Sequence, residues 1–200
     1  MTDSALLDSL DGQQYLVLRP TAAVAAFYTA EQARLSLLMP GALPHPNAGH
    51  VTLRGFYEPT RVDELKRTLA TWAKQQGPIE LQVDRIDGFP PPFQVLIARL
   101  EPTPSLVDAY ASLTATLDGT GLHRIGELPL AEWVFHLSLL YCNSLTEDVW
   151  EQVHAESARS VEQHPRELVT EVEFVWYEDG IEHAEVLTTG GSTAPVSAAS

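Results

Sequence analysis

Two short segments of this 200-residue chain pair an imidazole with an aliphatic hydroxyl at the same spacing: His50-Val51-Thr52 and His136-Leu137-Ser138. Histidine titrates near neutral pH, so it can take up or release a proton under ordinary conditions. Two histidines could divide the cleavage of a phosphodiester between them. One, neutral, would take a proton from the attacking water. The other, protonated, would give a proton to the leaving ribose oxygen. The hydroxyls of Thr52 and Ser138 would donate hydrogen bonds to the non-bridging phosphate oxygens, where charge builds in the transition state. His45 precedes the first tripeptide, but no carboxylate or cysteine is spaced to complete a metal site with it. Neither a metal nor another cofactor is expected.

The elements around the tripeptides must bring them together. His50–Tyr57 and Val134–Cys142 read as strands. In a strand, residues i and i+2 share a face and lie roughly 6.5 Å apart. Each histidine therefore faces the same way as its hydroxyl partner, while Val51, Leu53, Leu137 and Leu139 point into a core. Strict alternation also puts Arg54 on the face of His50 and Thr52, as the one basic residue on either motif's face, with a phosphate-contacting role. On the same alternation Leu140 continues the face of Ser138. Phe56, Tyr141 and Trp176 are read as core packing, and His123, His154, His164 and His183 take no part in the site.

The element order repeats. Helices are expected over Ala22–Leu38, Arg61–Gln75, Pro104–Leu117 and Thr146–Gln163, the last opened by Thr146, Glu147 and Asp148. Tyr15–Leu18 suits a strand, and paired strands are expected at 79–86 with 93–100 and at 168–177 with 181–188. Pro40–Gly49, Gly88–Pro92 and Gly119–Glu132 read as turns or loops. Each half thus runs helix, loop, strand bearing a tripeptide, helix, strand pair. The expectation is an α+β protein: a single bilobal domain over residues 14–189, with lobes of roughly 14–100 and 101–189 that could exchange strands. An acidic leader (1–13) and a disordered tail (190–200) would flank it.

The segments HVTL (50–53) and HLSL (136–139) resemble the paired signatures of the two-histidine (2H) phosphoesterase superfamily. Within it the chain is most similar to the bacterial 2′-5′ RNA ligase-like proteins, also called RNA cyclic phosphodiesterases. The spacing of 136 − 50 = 86 residues and the element order carry the resemblance over residues 15–189. It implies two pseudo-symmetric antiparallel sheets with helices on their outer faces and His50, Thr52, His136 and Ser138 in a central cleft. It also implies hydrolysis of a 2′,3′-cyclic phosphate or a related cyclic or 2′-5′ linkage. The alternatives are a 2′-5′ RNA ligase acting on tRNA-like ends and a non-catalytic nucleotide-binding member of the fold.

The net charge of −15 argues against a long nucleic-acid groove, which needs a basic surface. The expected partner is a small cyclic nucleotide or an RNA terminus. No apolar run approaches the roughly 20 residues that span a bilayer, and the acidic first residues lack the basic segment of a signal peptide. A cytoplasmic monomer is expected. The single cysteine, Cys142, leaves no internal disulfide and is read as a buried apolar side chain.

Overall fold

The computed structural model describes residues 9–39, 42–44 and 49–190. Most of the expected leader, nearly all of the expected tail, and His45 lie outside the described residues. The elements in order are β1 (Gln13–Leu18), α1 (Ala23–Leu38), β2 (Leu43–Pro44), β3 (Val51–Tyr57), α2 (Val62–Ala73), β4 (Ile79–Phe89), β5 (Val95–Leu100), α3 (Pro104–Asp118), β6 (Arg124–Ile125), β7 (His136–Tyr141), α4 (Glu147–Ser157), β8 (Arg159–Ser160), β9 (Arg166–Val169), β10 (Glu171–Glu178) and β11 (Ile181–Thr188).

The helices form where apolar residues recur at helical spacing, and that stripe is what they bury. Leu65, Leu69 and Trp72 of α2 and Leu106, Tyr110, Leu113 and Leu117 of α3 are all buried. Burying each large apolar side chain contributes about 1.5–3 kcal/mol. The start of α1 lacks a side-chain cap of its own. The Glu167 carboxylate on β9 accepts the N–H groups of Thr21, Ala22 and Val24 at 2.7, 3.0 and 2.8 Å instead. Those are the otherwise unpaired donors at the positive end of the helix dipole.

The strands form two antiparallel sheets. The first has the order β11-β10-β1-β3-β6, and the second β2-β7-β5-β4-β8, with β9 pairing the far end of β4. The sheets cut across the two sequence halves. Hairpin β4–β5 joins β7 of the second half, and hairpin β10–β11 joins β1 of the first. Each half lends its terminal hairpin to the other's sheet, so neither half could bury its core alone. Helices α1 and α4 pack against strands of the second sheet, and α2 against β11 of the first.

Several expected boundaries move. The span 168–177 is split between β9 and β10, because β9 turns away to pair with β4. The expected helix 146–163 ends at Ser157, where β8 begins to pair with β4. The loops 40–49 and 119–132 contain β2 and β6, each only two residues long. Strand β4 runs through Gly88 to Phe89 and stops at the first proline of the run 90–92. Among the described residues no helix is long and apolar enough to cross a membrane.

Candidate functional site

Strand pairing around the two tripeptides explains where their side chains point. In β3, Val51 pairs with Leu18, Thr52 with Val17, Arg54 with Leu16 and Gly55 with Tyr15. Leu53 is skipped. In β7, His136 pairs with Arg99, Leu137 with Ala98, Ser138 with Ile97, Leu140 with Leu96 and Tyr141 with Val95. Here Leu139 is skipped. Each motif strand therefore carries a bulge at the residue directly after its hydroxyl. An extra residue resets the alternation of faces. The faces follow: Leu53 and Arg54 are both fully buried in sequence, as are Leu139 and Leu140.

This overturns the expected position of Arg54. Past the bulge its side chain lies on the helix side of the sheet with no exposed surface. One guanidinium nitrogen, Nη1, lies 2.5 Å from the Glu127 carboxylate, and Nη2 donates to the Thr114 hydroxyl at 2.6 Å. The guanidinium carbon sits 4.4 Å from the centre of the Tyr110 ring. Arg54 is thus a buried clamp between β3, α3 and the loop before β7. The same reset removes Leu140 from the site face and puts Tyr141 there. Gly55 and Tyr141 each stand five residues after a motif histidine (55 − 50 and 141 − 136). Phe56 is fully buried in the core, as expected.

The other four expected residues keep their face. His50, Thr52, His136 and Ser138 are all partly exposed, between buried neighbours. Both tripeptides also lie on the strands next to the short outermost strands β6 and β2. Among the described residues, β6 pairs only with Gly55 and Phe56 of β3, and β2 only with Leu140 and Tyr141 of β7. Strands β3 and β7, one from each sheet, contact each other directly. Tyr28 of α1 bridges them. Its hydroxyl donates to the Ser138 carbonyl at 3.0 Å. Its ring lies so close to Gly49, the residue before His50, that a Cβ there would sit 2.8 Å from ring carbons. Gln32 donates to the Tyr28 hydroxyl and to the Leu139 carbonyl, both at 3.0 Å. The carbonyls freed by the bulge are thereby satisfied.

The His136 ring is held from two sides. Its Nδ1 lies 2.8 Å from the Val134 carbonyl. A carbonyl only accepts, so Nδ1 carries a proton and Nε2 is the nitrogen that gains or loses one. The Phe89 ring packs edge-on against the imidazole, with centroids 4.8 Å apart. Tyr141 hydrogen-bonds the Ser138 side chain. Burial pushes its phenol up, against the effect of that bond. Burial also pushes Tyr28 up to about 12 and raises Tyr15, and in both the nearby Tyr141 adds to the shift. Tyr15 belongs to the first sheet and Tyr141 to the second.

The remaining histidines are held elsewhere. His123 packs edge-on to Tyr57, His183 stacks on Trp176, and His164 lies 3.1 Å from the Val83 carbonyl. Trp176 lies under the Lys66 ammonium of α2, 3.7 Å from the ring centre, on the helix side. No group of three or more histidine, cysteine or acidic side chains that could hold a metal ion occurs among the described residues. Sequence reading misses Phe89 and Arg99 at this site and assigns Tyr141 to core packing, whereas Tyr141 is half-buried and bonded to the Ser138 side chain. A signal existed for the first bulge: Gly55 inside a strand pattern marks an irregular strand.

Two sheets meeting along two equivalent His-x-Thr/Ser strands define a two-histidine phosphoesterase fold. The family model described as the 2′-5′ RNA ligase superfamily matches residues 20–181. This chain belongs to that superfamily. No curated protein matches. Among solved structures, TT0787 of Thermus thermophilus is similar at 16% identity and a TM-score of 0.68, covering 90% of this chain and 99% of its own. Escherichia coli LigT complexed with 3′-AMP is similar at 15% identity and a TM-score of 0.60, covering 88% and 95%. Usb1 of Kluyveromyces marxianus is similar at 10% identity and a TM-score of 0.55, covering 90% and 99%.

Proposed function

We propose that this protein is a metal-independent phosphodiesterase that opens a 2′,3′-cyclic phosphate, or cleaves a related cyclic or 2′-5′ ribonucleotide linkage, between His50 and His136. The observation that carries this reading is the equivalence of the two tripeptides. Each has the same bulge at the same offset, and the two strands that bear them contact each other. One imidazole takes the proton of the attacking water, and the P–O bond to the ribose breaks as the other protonates the leaving oxygen. The Thr52 and Ser138 hydroxyls donate to the non-bridging oxygens, and Tyr141 orients Ser138. The Nδ1 bond to Val134 keeps the reactive Nε2 of His136 aimed in either protonation state. Supporting the size of the ligand, LigT, a protein of this fold, has been solved with 3′-AMP. That nucleotide carries its phosphate on the ribose edge where a cyclic phosphate would sit.

The test is a panel of nucleoside 2′,3′-cyclic phosphates and 2′-5′ dinucleotides, assayed with and without EDTA. Turnover to a phosphomonoester, unchanged by the chelator, is the expected result. Turnover lost on chelation would sink the mechanism. A joined product from a cyclic phosphate end and a 5′-hydroxyl end would reassign the chain to ligation.

The Tyr28 bridge carries a second prediction. Gly49→Ala pushes a methyl group against a ring anchored at its far end, so the segment leading into His50 must shift. Overpacking of this kind costs about 1–3 kcal/mol of stability. A displacement of about 1 Å can cost up to about 100-fold in rate. Thermal melts and kcat measured on the same preparation check both. A variant that loses stability but keeps full kcat would show that Tyr28 does not set the position of His50.

A further inference from the structure

The cross-strand register continues from His136 into a strip of arginines. His136 pairs with Arg99 on β5, and Arg99 pairs with Arg85 on β4. Directly paired residues in antiparallel strands project from the same face, about 4.5–5.5 Å apart at Cβ. All three therefore stand on the site face of the second sheet, with Arg85 roughly 10 Å from His136, two strand spacings away. Both arginines are reachable, with side chains 44% and 50% exposed.

Their partners hold them unequally. Arg85 Nε donates to Asp84 at 2.6 Å. Arg99 is tied only loosely to Asp87, at 3.5 Å. The Gly88 N–H at 2.9 Å and His154 Nε2 at 3.2 Å both hold the other carboxylate oxygen, Oδ1, while Arg99 Nη1 faces Oδ2. Burial alone would raise the Asp87 carboxyl, but those two bonds, with the charges of His154 and Arg99, hold it below its ordinary value. Asp87 therefore steers the Arg99 guanidinium over the face without consuming its donors. A planar guanidinium with donors to spare suits a phosphate group.

We infer that Arg99, backed by Arg85, binds a second phosphate of the substrate, the one on the 5′ side of the ribose whose cyclic phosphate reacts. This rests on the proposed phosphodiesterase reading and narrows it. The substrate is then a 5′-phosphorylated cyclic nucleotide or the 3′ end of an RNA, in which that phosphate links to the preceding nucleotide. It is not a bare nucleoside cyclic phosphate. Two arginines can hold such an end within an acidic protein, where a long groove could not form.

The experiment compares kcat/KM for adenosine 2′,3′-cyclic phosphate, its 5′-phosphorylated form, and the dinucleotide ApA ending in a 2′,3′-cyclic phosphate. A charge-assisted hydrogen-bonded pair contributes about 1.5–3 kcal/mol, or roughly 10–150-fold. The wild type should prefer a substrate with the second phosphate by about tenfold or more. In Arg99→Gln/Arg85→Gln the ratio should fall to near one. A preference for the monoester identifies a nucleotide as substrate, and a preference for ApA identifies an RNA end. An equal preference for all three in the wild type, or an unchanged ratio in the double variant, overturns the inference. If no substrate turns over, the phosphodiesterase reading falls, and calorimetry decides the inference by itself. Adenosine 3′,5′-bisphosphate should bind the wild type about tenfold more tightly than 3′-AMP, and the double variant should lose the difference. Equal binding of the two ligands to the wild type would refute it.

Discussion

His50→Ala and His136→Ala should each lower kcat by about 100- to 10,000-fold, the range a positioned proton-transfer group contributes. The double variant should be little worse than the poorer single one. The two imidazoles act on one transition state, so removing either leaves the other with much less to do. A leaving group that needs no protonation tells the roles apart. With a nucleoside 3′-(p-nitrophenyl phosphate), the nitrophenolate departs without an acid. The variant lacking the acid should recover much of its rate on this substrate, and the variant lacking the base should not. Steady-state kinetics on the two substrates, with melting temperatures to confirm folding, are sufficient. Full activity in either single variant would end the two-histidine mechanism for this chain.

The parts of this site that were legible in the sequence are those governed by local periodicity. The stripes Leu65-Leu69-Trp72 and Leu106-Tyr110-Leu113-Leu117 predict their helices because burial needs one face, and these residues make one. The tripeptides read correctly as strand pairs because their alternation is intact from His50 to Thr52 and from His136 to Ser138. Legibility fails at the next residue. A bulge spends one residue without a partner, and the period-2 pattern then resumes on the opposite face. Strict alternation misplaces Arg54 and assigns Tyr141 to the core for that single reason. The adjacent buried pairs Leu53-Arg54 and Leu139-Leu140 are its trace, but in sequence Leu139-Leu140 also reads as an ordinary apolar run. Arg99 and Phe89 were hidden differently. Their place beside His136 depends on which strand lies next to which, and in what register. Nothing local in 79–100 encodes that. The strands β2, β6 and β8 are two residues long and have no period to read.

Arg54→Ala should destabilise the protein while sparing its chemistry. The side chain is fully buried, pairs with Glu127, reaches Thr114 and lies on the Tyr110 ring. Breaking a buried pair by removing one partner costs about 3–5 kcal/mol, because the remaining charge loses its counter-ion and a cavity opens. Glu127 keeps some access to water, with 27% of its side chain exposed, and Arg124 stays 3.0 Å away, so the lower end of that range applies. For a chain of this size about 3 kcal/mol lowers the melting temperature by roughly 6–12 °C. Arg54→Met should cost less, since it refills most of the volume and removes the buried charge instead of leaving a void. Combining it with Glu127→Gln should recover more still, because neither charge then lacks a partner. Were Arg54 a phosphate ligand, as strict strand alternation implied, the pattern would invert: a large loss in kcat/KM with little change in melting. Thermal denaturation and kinetics on the same three variants separate the two roles. The bulge at Leu53 predicts loss of stability without loss of turnover per folded molecule.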